Sequence, residues 1–218
     1  MLFGPDRVVA CPACGAPARV FTLLTSNNFF DTAWTDGYVA RPHHWEPPAL
    51  CRCHRCRRFF WLADAVVLGS IQEGSPPPVV PEEWKNAPRV TGLDLDGLLG
   101  AIERGAANTP DRERLLRLQA FWASSHRNRN RRRKKDRQKT PADRRNMTAL
   151  LALFTTRFAA NGDPKDLLVC AEIRRQMGEP AEAIALIERI ASWPEALAPF
   201  ADEVTRQARA GSRVVAPV

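Results

Sequence analysis

Apolar positions change their spacing once along this chain of 218 residues, and the change divides it. Before about residue 72 they come in short β-type runs, Val20 to Leu24 and Phe59 to Leu62, between turn-rich connections. From Leu93 onward they recur at three- and four-residue steps, as in Met147, Leu150, Leu151, Phe154 and Phe158, or Leu197, Phe200, Val204 and Ala208. A stripe of that period covers one face of a helix and has to bury against another element. Helix starts are marked as well. Thr109-Pro110, Thr140-Pro141 and Asp163-Pro164 each place a side-chain oxygen where it can accept a free amide, and a proline where an amide would be orphaned. Ser192-Trp193-Pro194-Glu195 adds a capping-box pattern. The spacing predicts helices over roughly 94–104, 110–126 or beyond, 141–160, 164–177, 180–191 and 194–209.

These signals predict an α+β chain: a β-containing module over residues 1–72, a proline-rich linker over 73–92, and an α-helical domain over 93–218. The helical domain is expected as a bundle or a short array of helical hairpins. Ala171 to Ile184 carries small residues where antiparallel helices would touch and Gly178 at the turn, and this stretch resembles one tetratricopeptide hairpin. That resemblance implies a surface for binding another protein.

Cysteine usage supplies the chemistry. Five of the six cysteines lie before residue 57, and two pairs, Cys11-Pro-Ala-Cys14 and Cys53-His-Arg-Cys56, have the spacing that turns both thiolates toward one cation. The four predict one structural zinc ion, because four thiolates fill a tetrahedral shell and leave no position for a reactive water. Gly15 suits the tight turn after the first pair, whereas the second has Arg57 there. Cys51 and His54 offer an alternative second pair; Cys53 and Cys56 match the first pair in type and directly precede the run Arg58 to Leu62. Cys170, alone among apolar residues, reads as a small buried hydrophobe. The spacer of 38 residues between Cys14 and Cys53 exceeds the compact pattern of about 15 to 20, so the module carries an insertion. In it Trp34, Tyr38 and Trp45 are expected to thicken a small core, and His43 and His44, with Asp36 or Glu46, are the only adjacent histidines available to a general-base or second metal site.

Together Cys11-Pro-x-Cys14, Asn28-Phe29 before Trp34-x-Asp36-Gly37, Pro47-Pro48, Cys53-x-x-Cys56 and Phe60-Trp61-Leu62-Ala63-Asp64-Ala65 resemble a group of uncharacterised bacterial zinc-ribbon proteins with tetratricopeptide-like C-terminal helices. The resemblance implies an architecture, a zinc ribbon followed by helical hairpins, and no particular reaction.

Net charge is +8, and its placement matters more than its size. Residues 127–145 hold eleven Lys or Arg against Asp136 and Asp143, which leaves the rest of the chain close to neutral. Arg127, Arg129, Arg131, Arg132, Arg133, Lys134, Lys135, Arg137 and Lys139 are therefore the candidate nucleic-acid contacts. No apolar run reaches membrane-span length, and Arg7-Val8-Val9-Ala10 is too short for the apolar core of a signal peptide. The reading is a cytoplasmic, non-enzymatic binding protein with a protein partner; nucleic-acid binding is the alternative, and an enzyme acting near His43 and His44 the third.

Overall fold

The computed structural model describes residues 2–27, 29–72, 80–129 and 139–218. Its strands are β1 (Leu2–Phe3), β2 (Asp6–Ala10), β3 (Pro17–Val20), β4 (Leu23–Thr25), β5 (Thr32–Ala33), β6 (Val39–Ala40), β7 (Leu50–Arg52), β8 (Phe59–Trp61) and β9 (Val66–Ile71). Its helices are α1 (Glu82–Lys85), α2 (Leu95–Glu103), α3 (Pro110–Arg129), α4 (Pro141–Asn161), α5 (Pro164–Met177), α6 (Pro180–Ile187) and α7 (Ala198–Arg209). The expected mixture of helices with small antiparallel sheets is present. None of the described helices is long and apolar enough to cross a membrane.

The chain forms two compact units, one of residues 1–31 and 41–97, the other of residues 32–40 and 98–218. This division differs from the sequence-based one in two places. The turn-forming stretch 32–40 belongs with the helices, and residues 80–97 belong with the cysteine-bearing strands. The second difference has a visible cause in Gly69, where a Cβ would lie 2.7 Å from the ring of Trp84. Its absence lets Trp84, on α1, lie against β9, and residues 88–90 then run beside β3 through Arg19 N–H to Pro88 O (2.9 Å) and Val90 N–H to Arg19 O (2.8 Å). Residues 80–92 of the expected linker are thus built into the first unit; residues 73–79 lie outside the described residues.

In the first unit β2 is central, with β3 and β9 antiparallel on either side, while β7 pairs with β8 and β1 with β4. Val9, Ala18, Val20, Cys51, Phe60 and Leu62 form its core together with two of the paired cysteines, Cys11 and Cys53. So thin an apolar core needs another source of cohesion.

In the second unit the three predicted Thr-Pro and Asp-Pro starts all hold. Thr140 forms a full capping box with Asp143, accepting its N–H at 3.1 Å and donating its own to the Asp143 carboxylate at 2.8 Å. Thr109 accepts from Arg112 N–H and Asp163 from Lys165 N–H. The last helix starts later than the capping-box pattern implies, at Ala198. Pro199 explains this, because it has no N–H to donate to Glu195 and is tolerated only in the first turn. Phe121, Met147, Leu150, Phe154 and Ile173 form one buried cluster, and Leu168, Ala171, Ile187, Ala201 and Val204 a second. Ala171 and Ala183 are fully buried where α5 and α6 pack, with Gly178 left-handed at the turn.

Candidate metal centre

Each cysteine pair occupies the turn of an antiparallel hairpin. Cys11 to Cys14 connects β2 to β3 past the Ala10–Pro17 pair, and Cys53 to Cys56 connects β7 to β8 past the Arg52–Phe59 pair. The loops repeat one another: Cys11 N–H donates to Ala16 O and Cys53 N–H to Arg58 O, both at 2.9 Å. One turn further on, Gly15 N–H reaches Cys11 O at 2.8 Å and Arg57 N–H reaches Cys53 O at 3.1 Å. Both of those residues have positive φ, 71° and 63°.

This duplication brings the four thiols into one cluster, with all Sγ atoms within 4.8 Å of one another. The close pairs run between hairpins, Cys11 to Cys56 at 3.8 Å and Cys14 to Cys53 at 3.7 Å. A tetrahedron of sulfurs around an ion at about 2.3 Å has edges of about 3.8 Å, so the spacing fits a metal, whereas a disulfide would need about 2 Å. All six cysteines are free.

The thiols differ in how readily they ionise. Burial pushes Cys11 up to about 12. Burial also opposes ionisation of Cys53, but the backbone amides of Cys56 and Arg55 and the Cys56 and Cys11 thiols outweigh it and hold Cys53 down to about 7. Cys53 is thus a ready thiolate near neutral pH, and filling the shell from Cys11 requires the metal to displace its proton.

The alternative pair is not brought into the cluster. Cys51 is buried in β7 with its thiol toward Pro48 O at 3.8 Å, and burial pushes it up to about 11. His54 is exposed in the turn between the paired cysteines.

Comparison with protein families, with curated proteins and with solved structures found no match.

The other candidate residues fall in several places. The side chain of Arg127 and residues Arg131, Arg132, Arg133, Lys134, Lys135 and Arg137 lie outside the described residues. Arg129 and Lys139, at either end of that stretch, turn inward, which corrects their reading as phosphate contacts. Arg129 pairs with Asp36 and lies over the Tyr38 ring, 4.2 Å from its centroid, and burial lowers its pKa. Lys139 donates to Ser124 Oγ at 2.9 Å and Ser125 Oγ at 3.2 Å, and burial lowers it to about 8. His43 rests near the Phe30 ring, while His44 joins Ser26 Oγ (2.8 Å to Nδ1) and Glu46 Oε1 (3.0 Å to Nε2) on an exposed surface. Glu46 also pairs with Arg41 at 3.2 Å, so its charge is shared.

A buried polar network was not foreseen. The β5–β6 hairpin, expected to thicken the cysteine module, inserts Thr35 and Asp36 into the helical unit. Thr35 donates to Glu172 Oε1 at 3.0 Å, and Glu172 is held by Arg175 at 2.8 and 2.6 Å and by Gln176 at 2.8 Å. Arg175 donates onward to Ser212 O and Val214 O, and the tail closes on the hairpin through Thr35 N–H to Ala216 O at 2.9 Å. Sealed from water with its charges answered, this network fastens hairpin and tail to the helices. The sequence signal for it is Glu172, set between the apolar Ala171 and Ile173, with Arg175 three residues further on.

Proposed function

We propose that this chain is a non-enzymatic adaptor: a zinc ribbon, held by one structural zinc ion on Cys11, Cys14, Cys53 and Cys56, joined to tetratricopeptide-like helical hairpins that bind a protein partner. The observation that carries the reading is the closed shell of four thiols, which leaves an ion no position for water or substrate. A tetrahedral all-sulfur site suits zinc or iron, and zinc is the ion with no redox chemistry of its own. Of the helical hairpins, α5–α6 supports the partner role best, with the small residues Ala171 and Ala183 buried at its interface and Gly178 at its turn. Metal analysis of purified protein is expected to give about one zinc per chain. Cys51→Ala keeps the ion and Cys53→Ala loses it; the reverse result rejects this ligand set.

A second reading, nucleic-acid binding, is favoured by the local charge of residues 127–145. With Arg129 and Lys139 engaged internally, any such binding falls to the remaining cations of the segment, above all Arg131 to Lys135. Affinity for a random oligonucleotide should then collapse with salt and be abolished by charge-neutral replacement of Arg131 to Lys135. The third reading, an enzyme at the Ser26–His44–Glu46 relay, requires an activity that His44→Ala removes.

A further inference from the structure

Arg57 occupies a position whose backbone asks for glycine. Its φ of 63° lies in the left-handed region, and the matching residue of the first cysteine loop is Gly15 at 71°. A residue with a β-carbon is strained there, and such strain persists where the side chain has a use. The turn supplies no such use, since both loops close with the same backbone hydrogen bonds.

The side chain has another setting. Arg57 lines a cleft of about 310 Å³ together with Arg52 and Arg89, over an apolar lining that includes Phe60, Val90 and Leu93. His54 lines it too, and among the described residues no acidic one does. The other two guanidiniums are partly engaged. Arg52 Nε donates to Arg57 O at 3.3 Å, bracing the strained loop, and Arg89 pairs with Asp6 at 3.1 Å. Among the described residues no carboxylate lies within ion-pair distance of Arg57.

We propose that this cleft binds a small organic oxyanion, a carboxylate or phosphate carried on an apolar body, and that Arg57 meets its charge. A guanidinium presents a planar fork of donors that matches either oxyanion, and it is weakly hydrated enough to sit against an apolar wall. The apolar body fills the space along Phe60 and Val90. Cys11 and Cys53 line the same cleft, so the rival use of Arg57 is to offset the charge of metal-bound thiolates.

Calorimetric titration of the metal-loaded full chain with phenyl phosphate and with benzoate separates these uses, with inorganic phosphate and benzyl alcohol as probes lacking the apolar body or the charge. Both aryl anions are expected to bind more tightly than either control. Arg57→Gly, which restores the residue the turn favours, and Arg57→Asn, which tolerates the left-handed region without charge, are each expected to weaken aryl-anion binding at least about tenfold. Metal content should be unchanged and the melting temperature of Arg57→Gly no lower than wild type. Absence of aryl-anion binding at millimolar concentration, or binding that both variants retain, would overturn the proposal. So would loss of metal in Arg57→Gly, which would place the work of the arginine at the thiolates.

Discussion

Asp36 and Lys139 are charged groups taken out of water, and both record the cost. Burial pushes Asp36 up to about 6 from its ordinary 3.8, although Arg129 pulls the other way. Folding therefore favours the protonated acid; that contribution is present below pH 3.8 and is lost as pH rises through about 6. Lys139 is the mirror case, its neutral form favoured, so its contribution is present above pH 10.5 and is lost as pH falls through about 8. Thermal melts at a series of pH values should show Asp36→Asn gaining on wild type between pH 4 and 6, by a few kcal/mol at most, and then running parallel to it. Lys139→Met should gain in the same way as pH falls from about 10.5 to 8. Neither inward-facing group was legible in the sequence. The cysteines were, because residue type and a two-residue gap state their chemistry locally. Arg129 sits in a run of cations, and its partner is 93 residues away, so nothing near it distinguishes a buried guanidinium from a solvated one.

Among the elements, those specified by adjacent residues followed the sequence most closely. The Thr140 capping box satisfies amides within four consecutive residues, and Thr140→Ala should lower stability by about 1 kcal/mol in denaturant titration, with Thr140→Ser nearly neutral. The start of α7 was misplaced for an equally local reason, Pro199, whose missing amide outweighs a plausible cap at Ser192. The β5–β6 hairpin was the harder case. Two-residue strands have no periodicity to read, and the hairpin's assignment to the helices rests on partners such as Glu172 and Ala216 far along the chain. Residues 80–90 were hidden by a different cause. Proline-rich composition reads as linker, and the contact of Trp84 with Gly69 and the backbone hydrogen bonds of residues 88–90 to Arg19 reveal that the segment folds back.

For the molecule as a whole, the candidate metal site and the helices are separable in their chemistry. None of the four clustered cysteines belongs to the helical unit, whose core is Phe121, Met147, Leu150, Phe154 and their neighbours. Chelation is expected to expose four reactive thiols and melt the cysteine-bearing strands while the helical circular dichroism is largely kept. Because the four thiols must lose their protons to join the shell, metal should also leave as pH falls into the acid range, followed by a chromophoric indicator. The Thr35–Ala216 contact bears on a further matter, the order of events during translation. The paired cysteine hairpins are complete once about residue 71 has emerged from the ribosome, so metal capture can begin early. Thr35 and Asp36, made in the same interval, wait for partners up to 181 residues downstream. Until the tail arrives, Glu172 and Arg175 lack part of their cover, and this late-closing seam is where a nascent chain would most need protection from aggregation or proteolysis.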